Sequence, residues 1–363
     1  MNSTTNVSAE GMAAATTLTR EAWGHGPNDT AVELYTLKSA TVEARVTTFG
    51  ARLVSVKTAD RNGKMADVVL GYDSLAGFLE DRKTYFGAIV GRFGNRIASG
   101  RFSIDGQAFQ LPLNDKQNTL HGGTEGFDQK VWSAREIPGG VEMALVSEDG
   151  DMGFPGTLRV KVRYTLVGDA LHIDYSATTD KATVVNLTNH AYFNLRGDDE
   201  SDILGHQLKL HADRFTPGDA GLIPTGELAP VAGTPLDFRE IATIGTRIDE
   251  ANEQLTRAGG YDHNFVLNGP AGALNIAAEL YEPVSGRLMT VKTTEPGIQF
   301  YAGNFLDGSF TGRHGAKYTR RTGLCLETQH FPNSPNQASF PTTTLRPGQT
   351  MRSTTIFTFG LGK

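Results

Sequence analysis

One stretch of the chain alternates apolar and polar side chains in a way that predicts the wall of a binding pocket. Within residues 185–194, strand geometry places five hydrogen-bonding side chains on one face: Asn186, Thr188, His190, Tyr192 and Asn194. The opposite face is mostly apolar, as expected of a surface that packs on a core. A polar face with a histidine suits a hydroxylated ligand. The alternative interpretation is an ordinary solvent-exposed face.

A second stretch places a carboxylate in a mostly apolar strand. Within residues 323–329, Cys325, Glu327 and Gln329 share one face, and Leu324 and Leu326 lie behind them. An unpaired buried carboxylate is costly. Glu327 is therefore either retained for a function or, in the alternative interpretation, exposed at a strand edge.

Other polar candidates lie in turns and short strands. They are Asn95 and Arg96 in a glycine-bearing loop, His121 before Gly122 and Gly123, Asp262 and His263 beside a turn, and Gln299 with Tyr301 on one strand face. The glycines after His121 would let a ligand approach the backbone closely. Each of these candidates alone is also consistent with a polar surface loop.

The sequence contains no recognisable metal or nucleotide motif. His121, His190 and His263 are far apart, without His-x-His or His-Glu-x-x-His spacing. Residues 91–97 lack the order of a nucleotide-binding loop, and the Gly-x-Ser-x-Gly elbow of many serine hydrolases is missing. We therefore expect no metal.

The elements that position these residues are predicted to be short β-strands. Between frequent turns, with 42 glycines and 15 prolines in the chain, period-two alternation dominates. Residues 102–111 have the pattern of a hairpin around Asp105 and Gly106. Helices are indicated only at residues 74–79 and 244–255. The pattern predicts an all-β fold of antiparallel sheets with few short helices.

Length and composition predict one large globular domain. The chain has 363 residues, of which 39% are hydrophobic and 20% are charged, enough to bury a core. No linker interrupts the chain after residue 20. We expect a flexible polar leader at residues 1–20 and a single domain at residues 21–363.

Charge and cysteine content exclude several classes of partner. The net charge is −6 without a basic run, so we expect no nucleic acid. No stretch approaches the ~20 apolar residues of a membrane span. The single cysteine fits a reducing compartment, and residues 1–20 do not have the pattern of a secretory signal. We expect a cytoplasmic protein, and the sequence does not indicate its oligomeric state.

Six ordered segments resemble the signature stretches of aldose 1-epimerases of the galactose mutarotase type. They are residues 91–96, 120–123, 186–195, 262–265, 296–301 and 325–329. The resemblance covers residues 20–363. It departs from the family pattern at Gly94, where many members carry alanine, and in the polar leader. It implies a β-supersandwich of antiparallel sheets, a monosaccharide substrate and no cofactor.

The resemblance implies an enzyme that interconverts the α and β anomers of a free aldose, of the galactose or glucose type. Matching the motifs one by one implies that Glu327 is the general base and His190 the general acid of this reaction. It also implies that the sugar hydroxyls contact five further residues: Asn95, Arg96, His121, Asp262 and Gln299. Because a histidine with a pKa of about 6.5 is mostly neutral at pH 7, we expect Asp262 to help keep His190 protonated.

Two alternative functions remain open from the residues alone. A glycoside hydrolase would use two carboxylates, for which Asp262 and Glu327 are candidates. A non-catalytic sugar-binding protein would commonly stack its ligand on tryptophan, but Trp23 and Trp132 lie outside the predicted pocket strands. The preferred aldose is not indicated. For a phosphorylated hexose there is no clear cationic cluster beyond Arg96.

Overall fold

The computed structural model describes residues 16–197 and 202–362. This part of the chain forms 28 strands, two α-helices and seven 3-10 helices of three residues each, and all strand pairs of its sheets are antiparallel. The all-β prediction is confirmed. No helix within these ranges has the length and apolar character needed to cross a membrane. The 3-10 helices are Pro27–Asp29, Ala98–Gly100, Phe127–Gln129, Asp151–Gly153, Ile244–Thr246, Arg313–Gly315 and Ser334–Asn336.

The first sheet contains five strands that neighbour each other in chain order. They are β1 (Thr17–His25), β2 (Ala31–Lys38), β3 (Val42–Thr47), β4 (Leu53–Ala59) and β5 (Met65–Asp67). The leader predicted for residues 1–20 lies outside the described residues as far as residue 15. Residues 17–20 already belong to β1, because they pair with β2. The boundary drawn at residue 20 is therefore too late.

Helix α1 (Leu75–Glu80) and five short strands follow. The strands are β6 (Ile89–Val90), β7 (Arg96–Ile97), β8 (Arg101–Ile104), β9 (Gln107–Gln110) and β10 (Thr119–Leu120). β8 and β9 form the predicted hairpin, and Asp105 and Gly106 have φ values of 51° and 82°, as a tight two-residue turn requires. β7 pairs with β10, which brings Arg96 opposite Leu120 and close to His121.

The rest of the chain builds two larger sheets and completes two small strand pairs. Its elements are β11 (Ser133–Ile137), β12 (Gly140–Ser147), β13 (Leu158–Val167), β14 (Ala170–Thr179), β15 (Thr183–Val184), β16 (Thr188–Asn189), β17 (Tyr192–Phe193), β18 (Gln207–Leu210), β19 (Ala212–Phe215), β20 (Ala229–Pro230), β21 (Ala242–Thr243), α2 (Glu253–Ala258), β22 (Asp262–Leu267), β23 (Asn275–Tyr281), β24 (Arg287–Thr293), β25 (Gly297–Tyr301), β26 (Leu324–Gln329), β27 (Thr344–Leu345) and β28 (Met351–Leu361).

The strand order of these sheets determines where the candidate residues lie. Nine strands follow the order β11-β12-β13-β14-β28-β24-β23-β18-β21, and six follow the order β17-β26-β25-β22-β19-β20. Two-stranded pairs join β6 to β16 and β15 to β27. The six-stranded sheet carries three of the predicted motifs on adjacent strands, so we call it the site sheet.

One large apolar core holds the three main sheets together. It includes side chains of β3, β13 and β26, such as Val46, Val162 and Leu326. Along β13, every second side chain from Leu158 to Leu166 is buried, as one core-facing strand face requires. Burial of each large apolar side chain stabilises the fold by about 1.5–3 kcal/mol. A one-residue slip would expose this whole set, so the core fixes the register of β13 within the nine-stranded sheet.

The helix predictions have opposite outcomes. The helix predicted at residues 74–79 is confirmed as α1. The helix predicted at residues 244–255 is wrong over most of its length, because Ile244–Thr246 forms only a 3-10 turn and α2 begins at Glu253. Asn252 caps α2 by accepting a hydrogen bond from the Gln254 backbone, and Gly259, with a φ of 68°, ends it.

Removing this cap is expected to weaken the protein by a small, measurable amount. Asn252→Ala should lower the free energy of unfolding by about 1 kcal/mol, because a backbone N–H loses its partner. Urea unfolding followed by circular dichroism measures the change. Asn252→Ser is the matched control, since serine caps nearly as well. Equal losses in the two variants would contradict the capping role.

Candidate active site

The stretch at residues 185–194 is not one continuous strand. It divides into β16, which pairs with β6, and β17, whose Tyr192 lies opposite Cys325 of β26. His190 lies between the two strands and exchanges backbone hydrogen bonds with Gly87 and Ala88. Every side chain of the predicted polar face is buried: Asn186, Thr188, His190, Tyr192 and Asn194. The alternative of a solvent-exposed face is therefore wrong.

Glu327 lies in the interior of the site sheet. Its strand β26 is flanked by β17 and β25, and Gln299 is its direct cross-strand neighbour. Glu327 is only 2% exposed, and within the described part of the chain its Oε2 has no hydrogen-bond partner. The alternative of an exposed glutamate at a strand edge is therefore wrong. A buried carboxylate oxygen without a partner suits contact with a ligand.

Side chains from these strands and loops converge on a cavity of about 980 Å³, part of which is open to solvent. Six of the predicted site residues line it: Asn95, Arg96, His121, His190, Asp262 and Glu327. Much of the remaining wall is aromatic, including Tyr85, Tyr192 and Tyr301. A cavity of this size with a few convergent polar groups suits a small polar molecule.

His190 and Glu327 face each other inside the cavity. His190 Nε2 is 3.8 Å from Glu327 Oε1, which is too long for a direct hydrogen bond and leaves both atoms available to a ligand. The imidazole stacks with Tyr85 and Tyr192 at centroid distances of 5.7 and 5.1 Å. Its Nδ1 lies 3.5 Å from the Cys325 sulfur. These contacts hold the ring with Nε2 directed at Glu327.

Arg96 joins two carboxylates beside this pair. Its Nε donates to Asp115 Oδ2 at 2.8 Å, and its Nη1 lies 3.9 Å from Asp262 Oδ2. Gln299 is not among the residues that line the cavity, and its Nε2 donates to Asp262 Oδ1 at 2.7 Å. The structure thus places Gln299 in contact with Asp262, and its direct contact with the ligand stays a prediction.

Asn95 and His121 are held by left-handed backbone conformations, with φ values of 64° and 51°. The Asn95 backbone N–H donates to His121 Nδ1 at 3.1 Å, and the His121 N–H donates to the Asn95 carbonyl. A neutral imidazole that accepts at Nδ1 carries its proton on Nε2. His121 therefore presents an N–H donor rather than a lone pair to the cavity.

Burial opposes charge on the residues that would transfer protons. Loss of hydration lowers the pKa of His190 to about 4 and that of His121 well below its usual value. Loss of hydration also raises the pKa of Glu327 well above its usual value, and the charge of the nearby Asp262 carboxylate adds to this effect. In the ligand-free cavity, a single proton is therefore held more readily by Glu327 than by His190.

The expectation that Asp262 keeps His190 protonated is wrong. Burial dominates the pKa of His190, and the Arg52 charge lowers it further. Asp262 instead faces Arg96 and accepts from Gln299. Its own pKa is raised by burial, an effect that the Arg96 charge opposes.

Among the described residues, one cluster has the composition of a metal site. Potential ligand atoms of His121, His190 and Glu327 all lie within 4.8 Å of one another. A metal ion needs an unprotonated ring nitrogen. Because His121 Nδ1 already accepts from Asn95, its Nε2 carries a proton and offers no lone pair. The cluster suits a ligand rich in hydroxyl groups better than it suits a cation.

The sequence patterns missed two side chains that complete the site. Tyr85 contacts both His121 and His190, and Asp115 anchors Arg96. Asp115 was detectable in part, because it lies in a turn just before the His121 motif. Tyr85 gave no signal in the sequence. Its backbone is left-handed, with a φ of 58°, and an aromatic residue rarely adopts that conformation, so nothing nearby in the sequence predicts it.

The chain is similar to known proteins over most of its length. The sequence profile described as aldose 1-epimerase matches residues 33–358. The chain is 43% identical to the galactose mutarotase of Rattus norvegicus over 345 residues, covering 95% of this chain and 99% of the relative. It is 39% identical to the aldose 1-epimerase of Escherichia coli K12 over 315 residues, covering 86% and 90%.

A solved structure extends the similarity to the fold. The crystal structure of an aldose epimerase homologue from C. elegans matches with a TM-score of 0.82 and 31% identity, over 89% of this chain and 97% of that one. The profile match at residues 33–358 includes the whole site sheet and all the residues that line the polar part of the cavity. The chain belongs to the aldose 1-epimerase family.

Proposed function

We propose that this protein interconverts the α and β anomers of a free aldose, with Glu327 as the general base and His190 as the general acid. The observation that carries the proposal is the pair itself. Two buried groups that accept and donate protons face each other 3.8 Å apart. Family membership supplies the reaction class, and the relatives named galactose mutarotase make galactose the first sugar to test.

Opening the sugar ring requires two proton transfers. The Glu327 carboxylate takes the proton of the C1 hydroxyl as the C1–O5 bond breaks and C1 becomes a carbonyl carbon. The imidazolium of His190 gives its Nε2 proton to O5, which becomes the C5 hydroxyl. Rotation about C1–C2 exposes the other face of the aldehyde, and the reverse transfers close the ring. The cycle consumes no co-reactant.

The neighbouring polar groups would orient the sugar. Arg96 and the His121 Nε2–H are donors for ring or hydroxyl oxygens, and Asp262 is an acceptor for hydroxyl protons. Asn95 offers its side-chain amide to the same cavity. In this proposal Gln299 fixes the orientation of the Asp262 carboxylate.

The pH dependence should reflect a pair that shares one proton. Below the depressed pKa of His190, both groups are protonated and the base is lost. Above the raised pKa of Glu327, both are deprotonated and the acid is lost. We therefore expect kcat/KM to fall on the acid side near pH 4, and its alkaline limb to follow Glu327. Ring opening with the assigned roles requires the singly protonated form of the pair in which the proton is on His190 and Glu327 is ionised.

Nuclear magnetic resonance of the imidazole measures this charge state directly. His190 in the ligand-free protein should stay neutral from pH 7 down to about pH 5, and should gain its proton only around pH 4. A His190 resonance that titrates near pH 6.5 would contradict the expected desolvation.

Polarimetry tests the proposed activity. Freshly dissolved α-D-galactose and then α-D-glucose should reach their equilibrium rotation faster with the purified protein than without it. A glycoside hydrolase would instead release nitrophenol from nitrophenyl glycosides. A sugar-binding protein would retain the sugar without accelerating the change in rotation. Failure with every common free aldose would reject the free-sugar proposal.

Two further parts of the proposal concern the chain as a whole. We propose that the chain folds as one domain from β1 onwards, because the main core joins all three large sheets. A single unfolding transition, seen alike by fluorescence and circular dichroism, would support this. We also propose a cytoplasmic location, since the buried free thiol of Cys325 fits a reducing compartment, and cell fractionation tests it.

A further inference from the structure

Tyr85 contacts both imidazoles of the cavity. Its ring lies nearly parallel to that of His190, with centroids 5.7 Å apart and an interplanar angle of 26°. The same ring lies 4.7 Å from His121 at 59°. A flat aromatic face against an imidazole restricts rotation of the imidazole ring, and such contacts prefer specific geometries. Tyr85 therefore limits the direction in which His190 Nε2 can point.

The backbone at Tyr85 has an unfavourable conformation for a bulky residue. Its φ is 58°, in the left-handed region that aromatic residues rarely occupy. The turn that holds it is tied to His190: Ala88 N–H donates to the Tyr85 carbonyl, Gly87 N–H donates to the His190 carbonyl, and His190 N–H donates to the Ala88 carbonyl. Strain of this kind persists where the surrounding structure fixes it, often at functional sites.

Tyr85 also borders a second cavity. This neighbouring cavity of about 480 Å³ is partly open to solvent and is lined by polar side chains that include Arg82, Asn114 and Asp128. Tyr85 lines both this cavity and the one that contains His190. Removal of its ring would open a path for water from the polar cavity to the imidazole.

We propose that Tyr85 is a positioning residue for the proton transfer at His190, which it serves by holding the imidazole plane and by shielding it from the water of the neighbouring cavity. The inference rests on the proposed function, because it assigns a role to a neighbour of the proposed acid. It adds a residue that the polar sugar contacts do not include. The strained turn is then the structural cost of placing an aromatic ring at this point.

Three variants separate the ring from the backbone. Tyr85→Asn tolerates left-handed backbone but has no ring, Tyr85→Leu keeps the strain without the ring, and Tyr85→Phe keeps the ring without the hydroxyl. We expect kcat for α-D-galactose to fall about tenfold or more in the asparagine and leucine variants, and to stay within about twofold in the phenylalanine variant. Tm should be unchanged or higher in Tyr85→Asn.

The pKa of His190, measured by nuclear magnetic resonance, provides a readout that does not depend on activity. It should move upwards from about 4 in the two variants without the ring, because water reaches the imidazole, and should stay in place in Tyr85→Phe. An unchanged pKa together with kcat within threefold of the wild type would overturn the inference. So would losses of kcat that only parallel losses of Tm. A wild-type protein without mutarotase activity would reject the proposed function, while the pKa comparison would still decide the role of Tyr85.

Discussion

Replacing Glu327 with glutamine is expected to slow anomer interconversion by a factor of about 10² to 10⁴, or about 2.7–5.4 kcal/mol of transition-state stabilisation. Glutamine keeps the size of the side chain but cannot take up the C1 proton. KM should change much less than kcat, because the proposed sugar contacts of Arg96 and His121 are left intact. Polarimetry of α-D-galactose at several concentrations gives both constants.

The fold should tolerate this change. Glu327 is buried with a raised pKa, so a neutral amide resembles the protonated carboxyl that the cavity already favours. The loss of activity should therefore occur without a loss of Tm. Glu279→Gln is the matched control, because Glu279 lies on β23 outside the cavity, where its Oε1 is 3.0 Å from His211 Nε2. A Glu327→Gln variant that keeps more than about a tenth of wild-type kcat would remove Glu327 from the role of base.

The candidate site was largely predictable because its residues lie in short, ordered motifs. Asn95 and His121 occupy loops whose neighbouring glycines mark close backbone approaches, Arg96 begins the strand after one of them, and Glu327 interrupts an apolar strand. Strand periodicity also predicted that Cys325 and Glu327 share a face, and the site sheet pairs them with Tyr301 and Gln299. Residue type and strand periodicity were enough for these predictions, because the features concerned involve residues that are close together in the sequence.

Contacts between distant segments were not predictable in the same way. Periodicity alone treats residues 185–194 as one strand, whereas backbone pairing with β6 and then with β26 breaks it at His190. The helix predicted at residues 244–255 failed because the backbone N–H groups of Ile244 and Gly245 donate to a distant segment, at His206 and Leu204, and α2 begins only after the Asn252 cap. The left-handed turn at Tyr85 depends on hydrogen bonds to a segment about 100 residues away, so no local pattern encodes it.

The protonation states of Glu327 and His190 were also not predictable from local sequence patterns. The reference pKa of a glutamate, about 4.3, lies below that of a histidine, about 6.5, so that at pH 7 the glutamate is negative and the histidine is mostly neutral. Burial reverses this order, since the pKa of Glu327 rises and that of His190 falls to about 4. The sequence suggested that Asp262 interacts with His190, but the Asp262 carboxylate instead faces Arg96 and accepts a hydrogen bond from Gln299. Burial is a property of the assembled fold, so the sequence could suggest the pair of Glu327 and His190 but not its resting protonation.

Replacing His190 with glutamine is expected to cause a second loss of about 10² to 10⁴ in kcat. The amide nitrogen of glutamine can donate a hydrogen bond to O5 but cannot release its proton, so ring opening loses its acid. His211→Gln is the matched control, since His211 lies outside the cavity and contacts Glu279 at 3.0 Å. Polarimetry measures kcat, and circular dichroism checks that the variant is folded. A variant with near wild-type kcat would contradict the assignment.

The double variant Glu327→Gln/His190→Gln distinguishes a working pair from two independent groups. If proton removal at C1 and proton delivery to O5 occur together, the loss of either group already prevents the concerted transfer. The double variant should then be little slower than the slower single variant, as is found when catalytic groups act as a unit. Independent groups would multiply their losses to about 10⁴ to 10⁸. Multiplied losses would mean that base and acid act in separate steps, and that the 3.8 Å spacing of the pair does not couple them.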